Sequence, residues 1–180
     1  MLCTAGRSFG CKAKFISKEQ RMASFTNAAD VITAAVEIER RGFAFYERAA
    51  AGSTQSEDKE FFLFMAGEEK RHEKIFEEML QRAGGLELPA GSSEAEYLEY
   101  VDLVLDNHCM FLPEQQGEIR KDPLRQAMDF EKDTILFFTA MRRLVSPAEH
   151  PRIDACIEEE QRHLRLLAEY GKARAMALKG

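Results

Sequence analysis

The sequence predicts an all-α fold: a four-helix bundle made by duplicating a two-helix unit, with a long helix-containing crossover between the copies. Three observations carry this expectation. Ala, Glu, Leu, Lys and Arg are abundant, whereas Gly (11) and Pro (5) are few in 180 residues, and no long alternating β-branched run appears. Four segments space their apolar residues at intervals of three and four, the period of a helix with one buried face. One pattern of charged residues also occurs twice: Glu39 precedes Glu69-x-x-His72 by 30 residues, and Glu131 precedes Glu160-x-x-His163 by 29.

The chain begins with MLCTAGRSFGCKAKFISKEQR, which is basic, contains Ser and Gly, and lacks helical periodicity. It has no continuous apolar core of the kind a secretory signal needs. Residues 1–25 are therefore expected to lie outside the fold, as a disordered extension or one preceding a true start at Met22; a transit peptide would also suit the composition. The first helix is expected from about Ala28 to Ala50, with a stripe of Val31, Ile32, Ala35, Ile38, Gly42, Phe45, Tyr46 and Ala49. The segment AGSTQSED stops it and caps the second helix, expected from Glu57 to Arg82 and ended by Gly84-Gly85. The third begins at Asp122-Pro123, a cap followed by Pro in the first turn, and runs to about Val145. The fourth begins at Ser146-Pro147, where Glu149 completes a capping-box pattern, and ends near Gly171.

Between the second and third helices, residues 84–121 are too long for a hairpin turn and hold a helical piece of their own, about Ser93 to Asn107, followed by HCMFLPEQQG. A short first connection, a long crossover and a very short last connection match the ferritin-like pattern of a four-helix bundle. Residues 26–172 are expected to form this single domain, and residues 173–180 a C-terminal tail.

Charge and composition exclude several functions. A net charge of −6 opposes a nucleic-acid surface, which needs a basic face. No apolar run approaches the roughly 20 residues that span a bilayer, so no membrane partner is expected. Cys3, Cys11, Cys109 and Cys156 form no Cys-x-x-Cys pair, which removes the thiolate metal sites and any disulfide framework; a cytoplasmic location is expected.

An isolated Glu-x-x-His is usually a solvated charged face. These six residues differ in falling on the apolar stripes. Glu69 and His72 fill the gap in the stripe Phe62, Met65, Phe76, Met79, and Glu160 and His163 the gap in Ile153, Cys156, Leu167, Tyr170. Glu39 lies between Ala35 and Gly42, and Glu131 between Ala127 and Ile135. Four buried, unpaired carboxylates would each cost several kcal/mol, and no Lys or Arg shares their level on the stripes. Two divalent cations would balance the charge. Hard oxygen ligands with one imidazole per metal suit iron or manganese, and zinc on affinity alone.

The runs EIERRGFAFYERAA, GEEKRHEKIF, DFEKDTILFF and EEEQRHLRLL resemble the rubrerythrin-type di-iron domain of the ferritin-like superfamily, over about Ala28 to Gly171. The resemblance implies two iron ions, with Glu39 and His72 terminal on one, Glu131 and His163 on the other, and Glu69 and Glu160 bridging. It implies a second hydrogen bond from each His to an outer acceptor, and a Tyr46 that bonds a ligand carboxylate or passes an electron. Phe138, the repeat counterpart of Tyr46, can do neither. The rubredoxin-like module of full-length rubrerythrins is missing, so an external electron-donor protein is implied. Met128 stands one turn before Glu131, where peroxidase-type members are expected to carry a further carboxylate.

The expected function is a di-iron oxidoreductase that reduces peroxide or dioxygen. Iron oxidation and handling without turnover is the alternative, followed by a structural bundle held by metal. Cys156 reads as a small buried hydrophobe, His108 and His150 as surface or crossover residues, and Glu77-Glu78 and Glu158-Glu159 as solvated faces. Tyr97, Val101 and Val104 would offer an apolar face for a homodimer.

Overall fold

The computed structural model describes residues 25, 27–82, 92–112 and 122–177. It is all-α, with no strand among the described residues: α1 (Ala28–Gly52), α2 (Ser56–Arg82), α3 (Ser92–Asp106), α4 (Pro123–Met141) and α5 (His150–Ala177). Helices α1 and α2 form one hairpin and α4 and α5 the other. The hairpins meet where α1 packs on α4 and α2 on α5. The expected Gly84-Gly85 stop, the end of the crossover and the N-terminal extension through residue 24 lie outside the described residues.

Local chemistry sets the helix ends. Asn27 and Asp30 form a reciprocal capping box: Asp30 N–H donates to Asn27 Oδ1 at 3.0 Å, and Asn27 N–H to Asp30 Oδ2 at 3.1 Å. Asp122 caps α4 by accepting from Arg125 N–H, with Pro123 at the first helical position. Helix α4 is shorter than expected. It ends at Met141 and tightens into a 3₁₀ turn, Arg142–Leu144, as the Arg142 N–H turns to the carbonyls of Ala140 and Phe138.

Two expectations for the fourth helix are corrected. The capping box at Ser146 does not close: Ser146 Oγ accepts from Ala148 N–H, but the Glu149 carboxylate is taken by Arg82 and Arg152. Residues Pro147–Glu149 form a 3₁₀ turn, and α5 begins at His150. Nor does the helix end at Gly171. It continues to Ala177, because Tyr170 Oη donates to Asp58 Oδ1 at 2.7 Å and Arg174 pairs with Asp58 Oδ2 at 2.7 Å, tying the last turns of α5 to the start of α2. Tyr170 also stacks on Phe61 at 4.0 Å between ring centroids.

The apolar stripes are buried as expected, with Tyr170 and Ile135 only partly so. The crossover face is reversed from the expectation. Val101 and Val104 are buried, and Tyr97 turns inward to donate its hydroxyl to the Ala140 carbonyl at 2.8 Å. Tyr100 and Leu103 are the exposed apolar side chains of α3, so Tyr97, Val101 and Val104 are not a free surface for a second copy. His108 is also internal, at 1 % exposure, and opens the buried 3₁₀ turn Cys109–Phe111. Its Nδ1 accepts from Met110 N–H, its Nε2 lies 3.3 Å from Thr134 Oγ1, and its ring meets Phe130 edge-on. Arg41 donates to the Met110 carbonyl at 2.9 Å and lies over the Phe111 ring. The crossover thus braces Phe130 from outside the bundle.

Phe130 in turn packs against Gly42. A Cβ at Gly42 would stand 2.8 Å from Phe130 Cε1, closer still to Cζ, and 3.0 Å from Glu69 Oε2. Only a residue without a side chain lets α1 and α4 approach this closely beside the buried glutamates. Gly42→Ala is expected to destabilise the metal-free protein by about 1–3 kcal/mol through overpacking. Gly67→Ala, at an exposed helical position with nothing within 4 Å of the added carbon, is expected to stabilise it by up to about 1 kcal/mol. Urea unfolding of the two variants checks both signs.

Candidate metal centre

Each of the four bundle helices contributes to one cluster. Glu39 comes from α1, Glu69 and His72 from α2, Glu131 from α4, and Glu160 and His163 from α5. The spacing of three places each Glu and His of a pair on one helix face, about one turn apart. All six side chains are 0–1 % exposed. Their ligand atoms form two overlapping groups: Glu39, Glu69, His72 and Glu160, and Glu69, Glu131, Glu160 and His163. Within each group the atoms lie within 4.8 Å of one another. Glu69 and Glu160 belong to both, so the two groups share two carboxylates and each could hold a metal ion.

The polar atoms at the centre are poorly satisfied by protein. Both oxygens of Glu39, both of Glu69, Glu131 Oε2 and Glu160 Oε1 are buried without a hydrogen-bond partner. Among the described residues, no Lys or Arg forms an ion pair with any of the four carboxylates. His72 Nδ1 lies 2.6 Å from Glu160 Oε1, in ion-pair contact but poorly aligned as a hydrogen bond. His163 Nδ1 lies 2.9 Å from Glu160 Oε2. Both Nδ1 atoms therefore face the cluster, and the two rings stand 5.6 Å apart.

These contacts divide the titration of the group. Burial, reinforced by the Glu160 charge, pushes Glu39 up to about 8. Burial and neighbouring carboxylates hold Glu69 and Glu131 well above the usual range. Glu160 goes the other way, because contacts with His163 and His72 outweigh its burial. Burial alone would lower His72, but the contact with Glu160 and the charges of Glu160 and Glu39 hold it up at about 9. Without cations the centre keeps its charge down by holding protons. Divalent cations would take the place of those protons on the same oxygens.

Outside the cluster lies a layer that the sequence reading took in part for a solvated face. His72 Nε2 lies 2.6 Å from Glu159 Oε2, and His163 Nε2 is 3.6 Å from Glu68 Oε2. Glu68 and Glu159 are the residues just before Glu69 and Glu160, so each copy of the motif supplies the acceptor facing the other copy's imidazole. Arg71 joins the two: its Nη2 donates to Glu68 Oε2 at 2.9 Å and to Glu159 Oε2. Arg71 outweighs partial burial and keeps both carboxyls below their usual range. The signal available in the sequence was the repetition of a Glu directly before Glu69 and before Glu160.

Tyr46 is fully buried and donates its hydroxyl to Glu131 Oε1, across from α1 to α4. Burial and the Glu131 charge hold its pKa well above that of a free phenol, so it remains a donor. Phe138 packs on Phe76 at 4.7 Å and makes no equivalent bond. Cys156 is 1 % exposed, and burial with the Glu39 charge pushes its thiol up, against a reactive thiolate. Met128 is partly buried against the apolar core.

A rubrerythrin family model matches residues 30–171. The chain belongs to the rubrerythrin family. The matched span of this rubrerythrin-family chain contains all six clustered residues and the crossover. The fold is also that of a Thermotoga maritima protein whose crystal structure is described as a ferritin-like diiron-carboxylate protein: 23 % sequence identity, 79 % of this chain and 93 % of that one covered, TM-score 0.56. A comparison with curated proteins finds no significant match. Among the described residues, no helix is long and apolar enough to cross a membrane.

The pH dependence of stability follows from the clustered groups. Glu39, raised from 4.5 to about 8, contributes stability that is full below about pH 4.5 and is lost as pH rises through about 8. His72, raised from 6.5 to about 9, acts in the same direction. The metal-free protein is therefore expected to show a falling urea midpoint between about pH 6 and 8.5. A saturating divalent metal is expected to flatten or reverse that trend, with proton release on binding measurable by calorimetry in buffers of different ionisation enthalpy.

Proposed function

We propose that this chain is a di-iron oxidoreductase that reduces hydrogen peroxide or dioxygen, using electrons from a separate donor protein. The observation that carries this reading is the pair of overlapping ligand groups sharing Glu69 and Glu160, fully buried and with most of their oxygens unpartnered. The residues fit the group. Four carboxylates balance two divalent ions, each position has one imidazole nitrogen, and no thiolate is present to favour a softer metal. Iron is the ion proposed, with manganese or zinc as the ions to be excluded by elemental analysis.

In this assignment Glu39 and His72 would hold one ion and Glu131 and His163 the other, while Glu69 and Glu160, which belong to both groups, would serve both. When bound, such a pair supplies redox equivalents and a two-point clamp on an oxygen substrate. The remaining work belongs to the chain. Glu159 and Glu68 set the outward imidazole nitrogens, keeping Nδ1 directed inward. The Tyr46 hydroxyl keeps its proton and orients Glu131 from one side only, so the two positions differ. Phe130, Phe62 and Tyr46 pack together beside the cluster and exclude water.

A second reading, oxidation and release of iron without turnover, is favoured by one observation. Met128 occupies the turn before Glu131 and packs, partly buried, against the apolar core, so this position on α4 offers no further carboxylate.

Anaerobic titration with ferrous iron is expected to saturate at two ions per chain, with Glu69→Ala and Glu160→Ala each losing the second. Two ions bound at unchanged affinity in both variants would place the site elsewhere. Cycles of oxidant and reductant, followed by near-ultraviolet absorbance, then separate the readings. Repeated cycling is expected for the oxidoreductase, whereas one oxidation followed by iron loss would support handling.

A further inference from the structure

We propose that Arg71 is a positioning residue shared by both metal positions, acting through Glu68 and Glu159 on His163 and His72; this rests on the di-iron reading above. One guanidinium nitrogen, Nη2, reaches Oε2 of Glu68 and Oε2 of Glu159. Those same oxygens face His163 Nε2 at 3.6 Å and His72 Nε2 at 2.6 Å. The chain of contacts therefore runs from one imidazole through a carboxylate to Arg71, and on through the second carboxylate to the other imidazole. It spans the gap between α2 and α5.

The duplicated sequence offers a control. Arg162 holds the position in the second copy that Arg71 holds in the first, each two residues after its shared Glu. Arg162 is exposed and makes no ion pair among the described residues. The second copy thus supplies an acceptor, Glu159, but no cation to hold it. Arg71 serves both acceptors.

Two outer carboxylates facing two neighbouring imidazoles would repel each other and swing toward solvent without a cation between them. Glu68 and Glu159 are 25 % and 22 % exposed at the side chain, so solvent is within reach. Held in place, Glu159 accepts from His72 Nε2 at 2.6 Å, and Glu68 stands 3.6 Å from the His163 Nε2, a nitrogen otherwise without a partner; each carboxylate restrains its ring and raises the basicity of Nδ1. Arg71 is itself 43 % exposed at the side chain, so its removal leaves little buried volume empty.

The test uses cobalt(II) as the metal in the full-length chain. It measures stepwise affinities and the hyperfine-shifted, exchangeable imidazole N–H resonances. Arg71→Ala is expected to weaken both positions by about 10-fold or more and to speed solvent exchange of both resonances. Glu159→Gln is expected to disturb only the His72 resonance, Glu68→Gln only that of His163, and Arg162→Ala neither. Arg71→Gln, which keeps the stem packing, is expected to behave as Arg71→Ala, and metal-free melting curves verify that both variants fold. Both affinities within twofold of wild type, or loss confined to the His72 position, would overturn the shared role while leaving the di-iron reading intact. A wild-type chain that binds no cobalt pair would sink that reading and this inference together.

Discussion

Four carboxylates share one sealed interior, and the rest of the molecule is arranged around that constraint. Isolated, each would cost several kcal/mol as an ion. The polypeptide alone offers two imidazoles and one phenol as relief. The His contacts leave Glu160 ionised while Glu39, Glu69 and Glu131 hold protons. Such an interior is not optimised for the stability of the bare chain. Its shape is maintained from outside, by Phe130 wedged on Gly42, by the crossover pressing on Phe130, and by Asp58 securing the far end of α5.

The six clustered residues were legible in the sequence because a helix repeats every 3.6 residues and they interrupt apolar stripes at the correct phase. Burial of those stripes then followed with few exceptions. What escaped the sequence lies where phase is ambiguous. Glu159 sits about 100° around the helix from Glu160, on the border between core and solvent, and only the neighbouring helix decides its role. His108 lies in the crossover as expected, but its burial escaped the sequence for a similar reason: it falls past the end of α3, where periodicity gives no direction, and its surroundings include Phe130 and Phe111. The end of α5 was misplaced because Gly171 is a strong local stop signal, overridden by two long-range bonds to Asp58. Glu149 had the spacing of a capping box, but Arg82 offered it a charge.

Duplication explains the layout but not its asymmetries. Tyr46 and Phe138 occupy equivalent places, yet only one can reach a carboxylate; Arg71 and Arg162 do likewise, yet only one is engaged. Each difference falls on a residue that contacts the other half of the bundle. The positions inside the cluster kept their identities in both copies, as did the outer pairs Glu68/Glu159 and Arg71/Arg162; Tyr46 and Phe138 differ in identity, and Arg71 and Arg162 only in what they contact. The two overlapping ligand groups, built from the same inner residue types, therefore have different surroundings.

The exchange of outer carboxylates between the copies has a mechanical consequence. Neither helical hairpin carries a complete half-site, since Glu39 and His72 meet Glu160 and Glu159 of the other hairpin, while His163 meets Glu69 and Glu68. Each group of ligands therefore draws on both hairpins, three residues from one and a shared Glu from the other. A metal bound there acts as a cross-link between two halves of one chain, and prising the hairpins apart dismantles both positions at once. Metal occupancy and hairpin docking become a single equilibrium.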